Sequence, residues 1–132
     1  MARDRILPAL GELELAVLQH LWQTGESDVV STHRRVGARR GISVNTVGST
    51  LERLHRKGLA QREKVSHAYR YTAVIDENAF RAQRVLEAAG GVAALKRDGT
   101  LAAFVDLVAD VDAEALDRLE ALIAARRKEA ER

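Results

Sequence analysis

Between Ser43 and Lys57, apolar residues recur every three or four positions, and directly after Leu59 the pattern changes to that of short β-strands. Ser43 is a favourable helix N-cap, and the cationic end of the run precedes a glycine. Residues 60–64 and 68–73 have strand composition and are separated by a tight connection. The sequence therefore predicts a well-defined helix followed directly by a β-hairpin.

Two further helical segments precede this helix. Residues 12–23 place apolar side chains at helical spacing and end at Gly25. Residues 27–40 predict a second helix, with Asp28 or Ser31 as its N-cap and a very short strand over 28–30 at its start. Helix, short strand, helix, helix and hairpin is the order of a winged helix-turn-helix, in which the hairpin forms the wing. We therefore expect a mainly α fold of this class.

From Asp76 to the end, the pattern is helical in three runs, and the predicted N-caps of these runs are Asp76, Thr100 and Asp112. Helices this short do not bury their apolar faces alone, so we expect the tail to pair with a second copy of itself. The alternative is that it packs on the core of its own chain. The predicted dimer-interface residues are Leu101, Phe104, Val108, Leu116, Leu119 and Ile123.

Composition excludes several function classes. The 132 residues contain no cysteine, so disulfides, thiolate metal sites and cysteine nucleophiles are excluded. The four histidines are scattered, and no glycine-rich phosphate loop or nucleophile elbow is present. We therefore predict no enzyme, no cofactor and no metal. No apolar stretch is long enough for a membrane span and no signal peptide is evident, which predicts a cytoplasmic protein.

Charge is divided unevenly along the chain. Residues 1–71 carry 12 Lys and Arg against 7 Asp and Glu, whereas residues 72–132 carry 9 against 12. A basic half in a small chain suggests a polyanionic partner such as double-stranded DNA, although a solvated basic face has the same composition. We accordingly predict a winged-helix DNA-binding domain over 1–75 and a helical dimerisation domain over 76–132.

The predicted third helix has one apolar and one polar face. Its apolar positions, Val44 among them, are expected in the core, and short hydrogen-bonding side chains face the other way. A major groove admits one helix when such side chains point outward. The predicted base-contacting residues are Asn45, Thr46, Ser49 and Arg53. For Arg53, the alternative is an ion pair with a nearby carboxylate.

Basic residues around this face predict contacts to DNA phosphates. The predicted set is Arg39, Arg40, Arg56, Lys57, Arg62, Lys64, His67 and Arg70. Arg56 could instead pair with Glu52 four residues earlier, and the others could belong to an ordinary charged hairpin or a solvated helix face. Tyr69 and Tyr71 share one face of a strand and are expected to pack on the third helix.

The sequence resembles the BlaI/MecI/CopY group of bacterial transcriptional repressors, also called penicillinase repressors, over about residues 9–131. The matching segments are 10–22 in the first helix, 44–59 in the third helix and 69–73 in the hairpin. The resemblance implies a homodimer that binds an inverted-repeat operator, often with TGTA-type half-sites, and represses transcription. It also implies that Asn45, Thr46, Ser49 and Arg53 occupy the base-reading positions.

The resemblance further implies a sensor protease that cleaves the C-terminal region before a phenylalanine. Phe104 resembles that residue, but Ala103 stands before it where the family has asparagine. The copper-responsive branch carries cysteines in its tail, and this chain has none. Two alternative functions stay open: a winged helix that binds protein, and a ligand-responsive regulator with a pocket between the two halves.

Overall fold

The computed structural model describes residues 10–97 and 99–132. Its elements in chain order are α1 (Glu12–Thr24), α2 (Val29–Thr32) continued by a π-helical turn (His33–Gly37) and a 3₁₀ turn (Ala38–Arg40), α3 (Val44–Arg56), β1 (Ala60–Val65), β2 (Ala68–Ala73), α4 (Glu77–Ala88), α5 (Val92–Leu95), α6 (Thr100–Val111) and α7 (Ala113–Ala130). The first nine residues of the predicted first domain lie outside the described residues. The mainly α winged helix-turn-helix predicted from the sequence is confirmed.

The chain divides into two compact units, the first ending at Val85 and the second beginning at Leu86. The division falls inside α4, beyond the domain boundary predicted at residue 75. Phe80 carries the start of α4 into the first unit, because its ring lies 5.3 Å from that of Trp22. The Trp22 indole also donates a hydrogen bond of 2.9 Å to the Ile75 carbonyl, which fixes the chain just before α4.

Two helices form where the sequence predicts them: α1, which precedes the helix-turn-helix, and α3, which is its second helix. α1 ends at Gly25, whose φ of 84° requires a residue without a side chain. α3 begins after Ser43, whose hydroxyl accepts a hydrogen bond of 3.1 Å from the Thr46 N–H. These local signals therefore fix the C-terminal end of α1 and the N-terminal end of α3, the two helices that carry most of the core.

The second helix, over residues 29–40, is composite, and we call it the composite helix. Asp28 caps it by accepting a hydrogen bond of 2.7 Å from the Ser31 N–H. The strand predicted over 28–30 is wrong, because this cap starts the helix at Val29. Only Ser27 pairs in the manner of a strand, through a single antiparallel bridge to Tyr71.

The hairpin pairs β1 with β2 in an antiparallel register that runs from Ala60 opposite Ala73 to Val65 opposite Ala68. The turn consists of Ser66 and His67, and Ser66 has a φ of 61°. β1 is one residue longer than the sequence predicts. The hairpin thus forms the expected wing, attached to the body through Tyr71.

The core of the first unit joins four elements with the start of α4. Its members share near-complete burial: Val17, Leu18, Leu21, Val47, Leu51, Leu54, Leu59, Ala60, Tyr71 and Phe80. α1 and α3 supply the leucine-rich faces, and the hairpin closes one side through Tyr71. This packing holds α3 with its opposite face outward.

The second unit contains the end of α4 with α5, α6 and α7. Asp112 caps α7 as predicted, accepting a hydrogen bond of 3.0 Å from the Glu114 N–H. The cap predicted at Thr100 is wrong, because Gly99 precedes the helix and Thr100 is its first residue. The four-residue α5 has no counterpart among the predictions. None of α5, α6 or α7 contains a fully buried residue.

Candidate nucleic-acid interface

An open groove runs along the exposed side of α3. We call this surface the reading face, and it is lined by Val29, Val44, Asn45, Gly48, Ser49, Glu52, Arg53 and Arg56. Three of the four residues predicted to contact bases therefore lie together. The fourth, Thr46, is exposed beside them, and its hydroxyl accepts a hydrogen bond of 3.0 Å from that of Ser43. Arg53 donates to the Thr50 hydroxyl at 3.1 Å and forms no ion pair in the described part of the chain.

Two apolar side chains belong to the reading face although the sequence did not predict them there. Val44, expected in the core, is 42% exposed and lines the groove. As the first residue of α3, it precedes the turn that packs on the core. Val29 lies in the same groove, so the face combines apolar and hydrogen-bonding groups. Base edges in the major groove, where thymine carries a methyl group, present the same combination.

Gly48 leaves an opening in the middle of the reading face. A methyl group added there would lie 3.5 Å from the nearest Val29 methyl, which is ordinary contact. The glycine is therefore not required by packing inside the protein. Its effect is to let another surface approach the backbone of α3 closely.

Glu52 joins α3 to both strands of the wing. Its carboxylate accepts a short hydrogen bond from Arg62 on β1 and lies 3.5 Å from the Tyr71 hydroxyl on β2. Arg56, one turn along α3, is 3.7 Å away. The Glu52–Arg56 pairing considered from the sequence is therefore present, and the contact with Arg62 is one that sequence spacing did not reveal.

Lys57 and Arg70, both predicted to contact phosphates, are held by carboxylates. Lys57 lies 2.6 Å from Glu14 and thereby ties the end of α3 to α1. Burial acts to raise the pKa of Glu14, but the Lys57 contact and a hydrogen bond from the Gly11 N–H outweigh it and lower that pKa. Arg70 pairs with Glu26 at 3.1 Å, which connects the wing to the end of α1.

The outer part of the wing presents cations and one aromatic ring. Tyr69 is 40% exposed and lies under the Arg62 guanidinium at 4.4 Å, so its predicted packing on the third helix is wrong. Tyr71 is buried as expected, because only the inner of the two rings reaches the core. Lys64 and His67 are exposed, and neither is ion-paired within the described residues.

Arg39 and Arg40 are not brought to the reading face. They line a different groove, between α1 and the composite helix, together with Arg34 and Arg35. The predicted phosphate contacts therefore fall into two groups: one around α3 and the wing, and one on the composite helix.

A buried polar cluster connects α1, the composite helix and the wing. His20 Nε2 lies 3.0 Å from the Ser27 hydroxyl, which accepts a hydrogen bond of 2.8 Å from Thr32. Ser27 in turn exchanges backbone hydrogen bonds of 3.0 and 2.9 Å with Tyr71. Burial, together with the nearby Arg35 charge, lowers the pKa of His20. Sequence spacing did not reveal this cluster, because its members belong to three separate elements.

Neither a metal site nor a membrane-spanning helix is present in the part of the chain that the structure describes. No group of three or more His, Asp or Glu side chains is arranged to hold a metal ion there. Within the same residues, no helix has both the length and the apolarity needed to cross a membrane.

Comparison with known proteins agrees with this architecture. The family model described as "Penicillinase repressor" matches residues 10–125. The transcriptional regulator BlaI of Mycobacterium tuberculosis, in both strain CDC 1551 / Oshkosh and strain H37Rv, is 34% identical over 114 residues, which cover 85% of this chain and 83% of the relative.

A solved structure is similar to the first part of the chain. The solution structure of the DNA-binding domain of the repressor BlaI superposes with a TM-score of 0.50 at 25% identity, covering 55% of this chain and 89% of that domain. The family match and the relatives cover most of the chain, including the hairpin and much of the helical tail. The chain therefore belongs to the penicillinase repressor family, a family of transcriptional repressors and not of enzymes.

Proposed function

We propose that this protein represses transcription by binding, as a homodimer, an inverted-repeat operator in double-stranded DNA. The observation that carries the proposal is the reading face, where small hydrogen-bonding side chains of α3 are exposed between cationic residues of α3 and the wing. A helix with this face fits a major groove, and the wing then lies over the adjoining backbone.

Within this complex, the reading face makes two kinds of contact with bases: hydrogen bonds and apolar contacts. Asn45, Thr46 and Ser49 exchange hydrogen bonds with base edges, and Arg53 donates to the acceptors of a guanine. Val44 adds an apolar surface suited to a thymine methyl group. Gly48 allows the helix backbone to come close to the base pairs between these contacts.

Phosphate contacts position the protein on the duplex. The assigned residues are Lys64, His67 and Arg70 of the wing, together with Arg62 and Arg56 beside Glu52. We assign Lys57 to the same group of phosphate contacts, whereas Arg39 and Arg40 line the separate groove between α1 and the composite helix. Arg56 and Arg62 exchange Glu52 for phosphate oxygens on binding, so their contribution is reduced by the ion pairs that they give up.

Pairing of two copies through the second unit supplies the symmetry that an inverted repeat requires. Among the predicted interface residues, Leu101, Phe104 and Ile123 are exposed, and Val108, Leu116 and Leu119 are half-buried. A second copy of this acidic, apolar unit is the partner that such a surface fits. We place this dimer in the cytoplasm, where the DNA of a bacterium lies.

A sensor protease is the further partner that the family resemblance supplies. The bond between Ala103 and Phe104 lies inside α6. Proteases bind extended segments, so cleavage at this bond depends on local unfolding of α6. Cleavage by this proposed protease therefore requires that α6 opens first.

Two substitutions, each of which removes one cation, test the proposal. Arg53→Ala should weaken binding to a duplex from the native locus and relax the preference at one base pair by about 1–3 kcal/mol. Lys64→Ala should weaken binding to native and random duplexes alike. Fluorescence anisotropy on both duplexes measures the two effects. Equal losses on the two duplexes for Arg53→Ala would contradict base reading by Arg53.

A further inference from the structure

A polar groove between α1 and the composite helix lies apart from the reading face. Its lining residues are Ala16, Gln19, His20, Gln23, Arg34, Arg35, Val36, Arg39 and Arg40. We call it the arginine groove. It has a volume of about 710 Å³, within the range typical of small-molecule sites. Its lining includes four arginines and no carboxylate.

Little of the charge of the arginine groove is compensated among the described residues, where Asp28 interacts electrostatically with Arg34. In the described part of the chain, none of its four arginines forms an ion pair, whereas Arg56, Arg62 and Arg70 of the same unit each have a carboxylate partner. Like charges on neighbouring turns repel one another. A bound anion would relieve this repulsion at four guanidinium groups at once.

His20 gives the groove a buried polar group. The side chain is 5% exposed and lines the groove, so it forms part of its floor. Its Nε2 is occupied by the Ser27 hydroxyl, and Nδ1 has no hydrogen-bond partner among the described residues. Gln19 and Gln23, on the same helix, place two amide groups beside it. The floor therefore offers hydrogen bonds to a ligand, which a purely solvated row of cations would not.

The backbone of the groove is irregular where it carries two of the arginines. Arg34, Arg35 and Val36 belong to the π-helical turn of the composite helix. π-Helical turns are rare in proteins, and those that occur are often found at functional sites. Gly37 of the same turn packs so closely on α3 that an added Cβ would lie 2.8 Å from a Val47 methyl. A ligand on one side of this turn therefore acts directly beside the helix that carries the reading face.

We propose that the arginine groove binds a small polyphosphate, whose oxygens accept hydrogen bonds from the guanidinium groups and the glutamine amides. One guanidinium group donates two parallel hydrogen bonds to a pair of phosphate oxygens. Compensating the charge of four guanidinium groups requires a ligand with several negative charges. A single carboxylate would leave most of the charge uncompensated. One consequence rests on the proposed DNA-binding function. Binding of the ligand changes the affinity for the operator through the contact between Gly37 and Val47.

Titration calorimetry of the full chain with inorganic triphosphate tests the site without DNA. We expect saturable binding, and at least a tenfold loss of affinity in the double variant Arg35→Ala/Arg39→Ala. The double variant Lys96→Ala/Arg97→Ala removes the same charge from the second unit and should bind like the wild type. Absence of binding by the wild type, or an equal loss in both variants, would overturn the proposal.

Two further measurements exclude the other interpretations. The ring nitrogen resonances of His20 in the wild-type protein should shift on addition of triphosphate, which a purely peripheral association with the arginines would not cause. The salt dependence of DNA binding should be the same for Arg35→Ala/Arg39→Ala and the wild type. A smaller salt slope in that variant, without any triphosphate binding by the wild type, would assign the groove to the DNA backbone and overturn the small-ligand site.

Discussion

The two compact units differ in how completely they bury their apolar residues. In the first unit, the ten core side chains are at most 4% exposed and come from α1, α3, the connection after α3, the hairpin and α4. In the second unit, Leu107 is 65% and Val111 is 83% exposed, and α5 to α7 bury no residue fully. The first unit is thus a complete fold. The second has an apolar surface that its own helices leave uncovered, and this surface is what a partner would bury.

The difference also separates two tasks. The first unit holds α3 rigidly, through the core on one face and through the ion pairs of Glu52 and Glu14 at its sides. The second unit offers exposed apolar area for association. Under the proposed function, DNA recognition and pairing depend on different residues, so substitutions in the two units should have separable effects.

The largest effect should follow from breaking the pairing surface. Leu119→Asp places a charge at a half-buried position of α7, which should split the dimer. Loss of two-site binding should then lower operator affinity by about 10²- to 10⁴-fold. Sedimentation velocity and anisotropy measure both, with Ala121→Asp as an exposed control on the same helix. A Leu119→Asp protein that still sediments as a dimer would place the interface elsewhere.

A cavity in the closed core should lower stability without affecting association. Leu51 is fully buried, so Leu51→Ala should reduce the free energy of unfolding of the first unit by about 3 kcal/mol. Urea denaturation followed by Trp22 fluorescence should show the same loss at all protein concentrations. Leu107→Ala, at an exposed position, should act only where dimers form. A loss of unfolding free energy in Leu51→Ala that depends on protein concentration would contradict the difference in core burial between the two units.

Neutralising Glu52 should strengthen the binding of the first unit to DNA phosphates. Glu52→Gln frees Arg56 and Arg62 from their carboxylate, so binding to random duplex should strengthen by about tenfold. The salt dependence should steepen by about one to two phosphate contacts. Glu63→Gln removes the same charge from an exposed site on β1 and serves as the control. An unchanged salt slope in Glu52→Gln would show that neither arginine reaches a phosphate.

The smallest expected effect concerns pH and the contact between α1 and α3. The pKa of Glu14 is lowered from its ordinary value of 4.5, so the folded state binds a proton less readily than the unfolded state. The stabilisation is therefore complete above pH 4.5 and is lost as the pH falls through the lowered pKa. Glu14→Gln should cost about 1 kcal/mol at pH 7 and nothing below both pKa values. Equal costs at pH 7 and pH 3 in denaturation experiments would show that charge is not the cause.

Local sequence signals predicted much of the first unit. The Ser43 cap, the apolar spacing of α3 and the glycine after α1 act within one or two turns of the chain, so they could be read directly. The alternation of residues in the hairpin is equally local. The exposed face of α3 follows from the same periodicity, and this is why Asn45 and Ser49 were placed correctly beside one another.

What the sequence could not predict depends on contacts between distant residues. Lys57 forms an ion pair with Glu14, which lies 43 positions earlier in the chain. Arg62 of the wing forms an ion pair with Glu52 of α3. The strand expected over 28–30 does not form, because the Asp28 cap starts the composite helix at Val29. The bridge that forms instead joins Ser27 to Tyr71, and only the fold determines that pairing. The π-helical turn likewise forms where Gly37 packs on α3, which no local pattern encodes.

Hydroxyl-radical footprinting of the promoter upstream of the gene tests the central claim most directly. Two reading faces, related by the pairing of the second units, should protect two symmetric half-sites on one side of the duplex. Their centres should be separated by about one helical turn, 10–10.5 base pairs, or a multiple of it. Protection of a single segment, or of none at low salt, would contradict the account of a dimer that reads DNA through α3.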